Sequence, residues 1–419
     1  MGSRRMTVPR RLTFLLISDI HFGPSAFSAD FALKDAPPKH LISGAAPMKT
    51  SLIEALSGKN ISLLLASGDL TSTGSPSELE QCSVTVLEMG SALGIRNDNI
   101  FFTFGNHDVD WKVSSLATGN GGKKDPLYTK VAAEIGGIFV RNPDPYSAGP
   151  LPGCAVYKRD DFVLIVANTG YYCSHAQEYR HGILGMEQLK WLERSFSAIP
   201  DDDLRWRILL LHHHPQKYSF PTPTEDISCL QEGSELLDLI GKSKFDVVCH
   251  GHRHHPSLRT MMLTGWAAPV TFLCAGSLAV DVVARRYGEI PNVCHVVNLE
   301  SRTPNHAAIG NVLTYKYSTS VGWTPVSSHS PEVPLDGKHW FGSIATEEER
   351  RKGALAIMTP LIRDNATDYI DLPSYNSLPL SLQCMPIGSL NTLIKEIARE
   401  TFSMKVMGVY PDEPVVLRK

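Results

Sequence analysis

Short apolar runs that recur along the first three quarters of the chain constrain its fold more than any other feature of the sequence. They are rich in Val, Ile, Leu and Phe, and segments with helical periodicity separate them. Runs of this length predict mostly buried strands, and their alternation with helices predicts an α/β architecture with helices on the sheet faces. The runs are Leu12–Ile17, Ile61–Ala66, Ile100–Phe104, Phe162–Ala167, Arg207–Leu211, Phe245–Cys249, Val270–Cys274 and Val293–Leu299.

The composition excludes several classes of protein. Lys+Arg number 40 and Asp+Glu 43, for a net charge of −3, which argues against a surface built throughout for nucleic acid or an anionic membrane. No apolar stretch approaches the roughly 20 residues of a membrane-spanning helix, so we expect no span. The eight cysteines are scattered without a CxxC pair. We therefore expect free thiols in a reduced, cytoplasmic protein.

The chain is long enough for two domains, and its character changes near the end of the last apolar run. We predict a core domain over residues 10–300 and a C-terminal α+β extension over residues 301–419, which carries no chemical motif. Within the extension, Thr346 precedes a glutamate at the spacing of a capping box and predicts a helix toward Ile362. A second helix is predicted around Leu390–Thr401.

Polar clusters follow five of the predicted strands, each at or just beyond the carboxyl end of the strand. In open α/β sheets this edge is where ligand sites are assembled, because the loops after several strands converge there. Taken singly, each cluster could be a polar turn or a structural histidine. Five of them in succession at strand ends favour one shared site. The clusters are Asp19-Ile20-His21, Gly68-Asp69, Gly105-Asn106-His107-Asp108, His212-His213-His214-Pro215 and Gly251-His252-Arg253-His254-His255.

The carboxylate and imidazole groups of these clusters suit divalent transition metals, whereas the lack of paired cysteines disfavours a structural zinc site. Two ions that share a carboxylate need about seven protein ligands if positions remain for water and substrate. Alternation along a strand puts His212 and His214 on one face and His213 on the other, which leaves the choice within the triplet open. Such a centre is net positive and would attract phosphate. The seven candidates are Asp19, His21, Asp69, Asn106, one histidine of the triplet, His252 and His254.

The ordered set DxH, GD, GNHD, HxP and GHxH, over residues 12–256, resembles the calcineurin-like metallophosphoesterase superfamily. The resemblance implies a four-layer sandwich, two mixed β-sheets flanked by α-helices, with a two-metal centre at one edge. His213 is implied as the ligand of the triplet, because the ligand in the family lies two residues before the proline. His107 is implied as the catalytic residue, which faces the substrate and donates to a phosphate oxygen or protonates the leaving group. Asp108 is not assigned a catalytic role. The implied metal ligands are Asp19, His21 and His254 for the first ion, Asp69 as the bridge, and Asn106, His213 and His252 for the second ion.

The resemblance further implies a metal-dependent phosphoric ester hydrolase, which cleaves a phosphodiester or phosphomonoester by in-line attack of a metal-bridging hydroxide. Its cofactors would be two divalent ions, Mn, Fe or Zn, all of which accept this ligand set. Its partner would be a small phosphate ester. A cyclic nucleotide is favoured, because the GNHD form and the QLxWLE segment at Gln188–Glu193 are similar to those of cyclic-nucleotide-phosphodiesterase-like members. The apolar residues of that segment equally fit one face of a helix.

Alternatives within the same fold are a nuclease, a phosphoprotein phosphatase and a nucleotide or lipid pyrophosphatase. A nuclease would need a basic, aromatic track beside the site, and no dense Lys/Arg run lies near the motifs, which disfavours a nucleic-acid substrate. An alternative of a different class is a scaffold that kept the fold and lost the chemistry. Such members of the superfamily typically lack several ligand histidines, whereas every ligand position here is filled. The sequence makes no prediction of oligomeric state.

Overall fold

Two seven-stranded β-sheets form the body of the protein. They were obtained in a computed structural model, which describes residues 11–35, 37–38, 43–111, 114, 146–173, 182–217, 228–263, 269–281, 290–302, 308–326, 335, 337–343, 345–365, 367–385, 387–410 and 413–419.

The first sheet joins three parallel strands to an antiparallel half. Its strands are β1 (Leu12–Ile17), β2 (Leu63–Ala66), β3 (Ile100–Phe102), β11 (Val293–Arg302), β12 (Ala308–Ser318), β13 (Gly322–Pro325) and β14 (Lys338–Phe341). Strands β1, β2 and β3 run parallel, and β11 pairs antiparallel with β1. Strand β12 pairs with β11, and both β13 and β14 pair with β12.

The second sheet has a parallel centre with antiparallel edges. Its strands are β4 (Tyr146–Ala148), β5 (Ala155–Lys158), β6 (Phe162–Val166), β7 (Trp206–Leu210), β8 (Val247–His250), β9 (Ser257–Met261) and β10 (Val270–Cys274). Strands β6, β7, β8 and β10 run parallel in that order. The remaining strands pair antiparallel at the two edges. All eight predicted strands are thereby confirmed, and β4, β5, β9 and the strands after β11 are additional.

Side-chain alternation along the strands builds four layers. Leu15 of β1 packs on the outer side of the first sheet, in a cluster with helices α1 (Met48–Leu56) and α2 (Pro76–Ala92). Phe14 points the opposite way, into a core that the first sheet shares with residues such as Leu164 of β6. Leu209 of β7 packs outward against helices α3 (Gly185–Ser197) and α4 (Gly233–Lys242). The order helix, sheet, sheet, helix confirms the predicted sandwich.

The QLxWLE segment lies on α3, and its three apolar side chains are buried against the second sheet. These side chains are Leu189, Trp191 and Leu192. The interpretation of the segment as one apolar helix face is therefore confirmed.

The C-terminal part of the chain builds a smaller core of its own. It contains helices α5 (Glu347–Arg363), α6 (Leu380–Gln383) and α7 (Ile387–Phe402), and strands β15 (Tyr369–Asp371), β16 (Lys405–Met407) and β17 (Val416–Arg418). The three strands form an antiparallel sheet with β17 in the middle. Thr346 Oγ1 accepts from Glu349 N at 3.2 Å, which confirms the predicted capping box at the start of α5, and α7 confirms the second predicted helix.

The boundary predicted after residue 300 falls inside β11. Strands β12, β13 and β14 follow it in sequence, yet they extend the first sheet. They belong there because β11 and β12 pair along most of their lengths and bury Val297 and Val312 in the core between the sheets. The smaller core begins near α5, and the division into two domains stays a prediction. None of the helices in the described parts of the chain combines the length and the apolar character needed to cross a membrane.

Candidate metal centre

The five predicted polar clusters lie together at the carboxyl ends of strands from both sheets. Strands β1, β2 and β3 carry three of them, and β7 and β8 carry the two histidine-rich ones. Main-chain hydrogen bonds join neighbouring loops: Asp19 N donates to Gly68 O at 2.9 Å, and Gly251 N donates to His212 O at 3.0 Å. A further bond links the two sheets, from His252 N to Asp19 Oδ2 at 3.1 Å. The site therefore sits where the edges of the two sheets meet.

Five of the predicted ligands hold their backbones in the left-handed region. Their φ angles lie between 50° and 69°. This conformation costs a residue other than glycine about 1–2 kcal/mol, and it persists only where the surrounding structure enforces it. Strain of this kind clusters at functional sites, and here it turns the side chains inward. The five residues are Asp19, His21, Asp69, His252 and His254.

A first cluster of ligand atoms comes from Asp19, His21, Asp69 and His254, with one oxygen or nitrogen of each within 4.8 Å of the others. His254 Nε2 is 3.3 Å from Asp19 Oδ1, and His21 Nε2 is 3.8 Å from Asp69 Oδ2. Ser277 Oγ contacts His254 Nδ1 at 2.7 Å. A partner on one ring nitrogen orients the other, so Nε2 faces the cluster.

A second cluster of ligand atoms comes from His212, His213 and His252, again within 4.8 Å of one another. Asp69 and Asn106 adjoin it, because His212 Nε2 lies 3.3 Å from both Asp69 Oδ2 and Asn106 Oδ1. The same oxygen of Asp69 thus contacts both clusters, as a bridging ligand would. All seven predicted ligands are brought to this one region.

His212 and His213 both reach the second cluster, but their other contacts differ. His212 Nδ1 is 2.7 Å from Ser67 O. A carbonyl oxygen only accepts, so Nδ1 is the donor, and in the neutral imidazole Nε2 carries the lone pair. His213 Nδ1 is 2.8 Å from Thr169 Oγ1, and its Nε2 is 4.0 Å from Cys173 Sγ. His213 as the ligand of the triplet therefore stays a prediction. The structure adds His212 as a second candidate ligand, which the spacing to the proline did not select.

The donor set fits divalent cations. Within the described structure, three buried atoms of the predicted ligands have no hydrogen-bond partner: Asp19 Oδ1, His21 Nε2 and His252 Nε2. Each such atom costs about 1–3 kcal/mol, so three in one place indicate a ligand that would satisfy them. Burial, helped by neighbouring imidazoles, holds the pKa values of His21 and His252 well below the ordinary range. Both are therefore neutral, and the neutral imidazole is the form that binds metal.

Asp69 and His212 form a buried ion pair. Burial acts to raise the pKa of Asp69, but His212 and His107 outweigh it and hold that pKa well below its usual range. Burial acts to lower the pKa of His212, yet the charge of Asp69 raises it to about 9. A cation bound here would replace the proton of His212, because a ligating imidazole is deprotonated. Burial also raises the pKa of Asp19 to about 7, so a cation would favour its ionised form.

His107 lies beside the two ligand clusters. Its main-chain N–H donates to Asp69 Oδ1 at 2.7 Å, and its ring centroid is 4.7 Å from that of His21. It also lines a cavity of about 450 Å³. A side chain between the metal ligands and a cavity is placed to meet a substrate, as the resemblance implies.

Asp108 holds the GNHD turn in place. Its carboxylate accepts from Gly105 N at 2.8 Å and from Thr71 N at 2.9 Å. A Cβ on Gly105 would collide with the side chain of Asp69, so glycine is required at that point. Asp108 therefore acts on the loops and lies outside both ligand clusters.

Sequence reasoning missed several residues that orient the ligands. Thr169 and Ser277 contact ring nitrogens of His213 and His254. Trp111 Nε1 donates to Asn106 O at 2.6 Å. Thr169 and Ser277 follow strands β6 and β10, so a search for hydroxyl side chains after every parallel strand would have found them.

The chain has detectable similarity to one family model and to several solved structures. A family model of calcineurin-like phosphoesterases matches residues 12–256, more than half of the chain. No curated protein sequence matches. Solved structures that are similar include a purple acid phosphatase from yellow lupin seeds, at 14% identity and a TM-score of 0.46, covering 81% of this chain and 58% of that one. A putative 5′-nucleotidase from Staphylococcus aureus has 13% identity and a TM-score of 0.37, covering 81% and 57%. The inner-membrane-complex anchor GAP50 of Plasmodium has 10% identity and a TM-score of 0.37, covering 81% and 90%. The chain thus spans less than two thirds of the length of the first two structures.

Proposed function

Because the chain belongs to the calcineurin-like phosphoesterase family, we propose that it hydrolyses phosphoric esters with the help of two divalent metal ions. The observation that carries the proposal is the pair of ligand clusters joined at Asp69. Two ions held there would polarise the phosphoryl oxygens and lower the pKa of water. Five of the seven predicted ligands lie in loops whose backbone strain indicates a functional site.

The first ion is assigned to Asp19, His21, Asp69 and His254, and the second to Asp69, Asn106, His252 and an imidazole of the triplet. Two ligand atoms about 2.1 Å from one ion, at an angle of about 100°, are about 3.2 Å apart. The His254–Asp19 contact and both contacts of His212 have this spacing, at 3.3 Å each. The distances therefore favour His212 over His213 as the ligand of the second ion.

His107 is proposed as the acid that serves the leaving group. Its main chain is fixed by Asp69, and its Nδ1 lies 3.4 Å from Ser72 O, which can accept from it. An imidazole whose Nδ1 is so held presents its other nitrogen to the cavity side of the site. When both ring nitrogens carry a proton, that nitrogen can donate to a phosphoryl oxygen or protonate the departing oxygen.

A cyclic nucleotide is the favoured substrate within the class of phosphodiesters and phosphomonoesters. The support for a cyclic nucleotide is the GNHD form of the motif. The QLxWLE segment supports the fold and not the substrate, because its apolar side chains are buried in the core. Manganese, iron and zinc are all compatible with the ligands. A cytoplasmic location is also proposed, supported by eight free cysteines, most of them buried.

The proposal is tested with protein purified without chelator. We expect bound transition metal, and hydrolysis of bis(p-nitrophenyl) phosphate when Mn²⁺ is added. Asp69→Asn should lower turnover by more than about 100-fold, because it weakens a ligand of both ions. Asp202→Asn, at an exposed position in the turn before β7, is the matched control and should retain turnover. Near-wild-type turnover of Asp69→Asn would refute the bridging role.

The non-catalytic scaffold makes the opposite prediction in the same experiment. A scaffold would leave every ester of a panel untouched under added Mn²⁺, Fe²⁺ or Zn²⁺. The panel should contain 3′,5′- and 2′,3′-cyclic nucleotides, phosphomonoesters, dinucleotides and single-stranded DNA, so that it also separates the cyclic-nucleotide assignment from the nuclease and phosphatase alternatives.

A further inference from the structure

A cavity of about 450 Å³ lies beside His107, next to the metal ligands. A volume of this size is within the range of pockets that enclose small organic molecules, roughly 300–1,000 Å³. Its walls come from the segment after β2 and from the GNHD turn and the residues that follow it. They include Ser72, Thr73, Ser75, His107, Asp110 and Trp111.

The cavity is joined to the metal ligands through two shared contacts. His107 lines it, and the His107 ring lies against the ring of His21 at 4.7 Å between centroids. Ser72 lines it as well, and its Oγ donates to His21 O at 2.6 Å. A phosphoryl group held at the metal ligands would therefore have its ester substituent directed into this space, with His107 at the junction.

The charge of the walls restricts what can enter. Among the described residues that line the cavity, none is Lys or Arg, and Asp110 carries a carboxylate. A second phosphate, a pyrophosphate or a run of nucleic-acid backbone would find no cation among these described lining residues. An uncharged substituent that offers hydroxyl or amino donors suits a wall made of hydroxyls and a carboxylate.

Trp111 gives the cavity a fixed aromatic wall. Its Nε1 donates to Asn106 O at 2.6 Å, and its ring centroid lies 5.7 Å from that of His107. The residue is partly exposed and lines the cavity. An indole held in this way can stack a flat ring, which is worth about 1–3 kcal/mol for a nucleobase. A small aliphatic or quaternary ammonium group would leave most of the volume unfilled.

We propose that this cavity is a nucleoside subsite: it receives the uncharged nucleoside part of the ester, with the base against Trp111 and donor groups toward Asp110 and the three hydroxyls. The inference rests on the proposed function for the reacting phosphoryl group, and it names the substrate class at that site. A nucleoside subsite disfavours a pyrophosphatase and a nuclease, because the part of their product that would enter the cavity carries further negative charge.

Binding of adenosine to the full-length protein tests the subsite independently of turnover. Adenosine should bind both the metal-loaded and the metal-free protein, measured by calorimetry and by ligand-observed NMR, whereas ribose and choline should bind at least about 10-fold more weakly. Trp111→Leu should weaken adenosine binding about 10-fold. Trp111→Phe, which keeps a ring, should stay within about threefold of wild type. Trp340→Leu removes an indole from β14, which pairs with β12 and not with a strand that carries the site, and is the matched control.

Each outcome separates the subsite from the proposed function. Hydrolysis of simple esters without adenosine binding would overturn the subsite and leave the proposed function standing. The opposite result is a protein that hydrolyses no ester but binds adenosine, with weaker binding in Trp111→Leu. That result would support the subsite and overturn the proposed function. Binding of choline or ribose as tight as adenosine, or equal losses in Trp111→Leu and Trp111→Phe, would overturn the base-stacking assignment.

Discussion

Replacing His212 by alanine should remove the second metal ion, whereas the same change at His213 should not. His212 Nε2 lies 3.3 Å from both Asp69 Oδ2 and Asn106 Oδ1, which is the spacing of adjacent ligands around one ion. Ser67 O contacts its Nδ1 at 2.7 Å, so Nε2 is the nitrogen that points toward these two ligands. His213 uses Nδ1 for Thr169 Oγ1 and has Cys173 Sγ near Nε2.

The size of the expected effect follows from those contacts. Loss of a hydrogen-bond partner of a ligand costs roughly 10–100-fold in metal affinity, and loss of the ligand itself should exceed that. We therefore expect the dissociation constant of the second ion to rise by more than about 100-fold in His212→Ala, about 2.8 kcal/mol. In His213→Ala the rise should stay within about 10-fold, because only a neighbour of the site is removed.

The assay is metal stoichiometry after equilibrium dialysis at micromolar free Mn²⁺. Wild type and His213→Ala should hold two ions, and His212→Ala one. Because His212 is buried, His212→Gln provides a second variant that keeps a polar side chain, and circular dichroism checks that each variant is folded. Two ions in His212→Ala with one in His213→Ala would contradict the assignment of His212 and support His213, the ligand predicted from the spacing to the proline.

Two further predictions concern stability. Burial lowers the pKa of His295 from its ordinary value of 6.5 to about 4. Between pH 6.5 and pH 4 the unfolded state therefore binds more protons than the folded state, so the free energy of unfolding falls as the pH drops across this range. This loss should reach about 3 kcal/mol. Denaturant unfolding of wild type and His295→Gln across that pH range should show that the variant lacks this loss. Equal dependence of the unfolding free energy on pH in the two proteins would contradict the assignment. Ser403 is exposed and has a φ of 55°, so Ser403→Gly should raise the unfolding free energy by about 1 kcal/mol, whereas Ser57→Gly, at a φ of −54°, should give no gain. Thermal melts of both variants check this, and a gain at Ser57 alone would be inconsistent with relief of backbone strain.

The strands of the central sheets were the most predictable part of the fold. Runs such as Val270–Cys274 are apolar throughout because both of their faces are covered, and β10 has those bounds. Strand β12 was not predicted, because four of its eleven residues are only partly buried and its sequence offers no continuous apolar run. The place of β12 to β14 depends on pairing with β11, which is a tertiary contact.

The chemistry of the site could be predicted from the residue types and their order: which residues can bind metal, and that they follow strands. Asp19 and His254 lie far apart in the chain, and parallel strands bring their loops to one edge whatever lies between them. Which imidazole of the triplet faces Asp69 depends instead on contacts between distant parts of the chain. Alternation of side chains applies along a strand, and β7 ends at Leu210, so the directions of His212 and His213 are set by contacts with Ser67 and Thr169 from other strands.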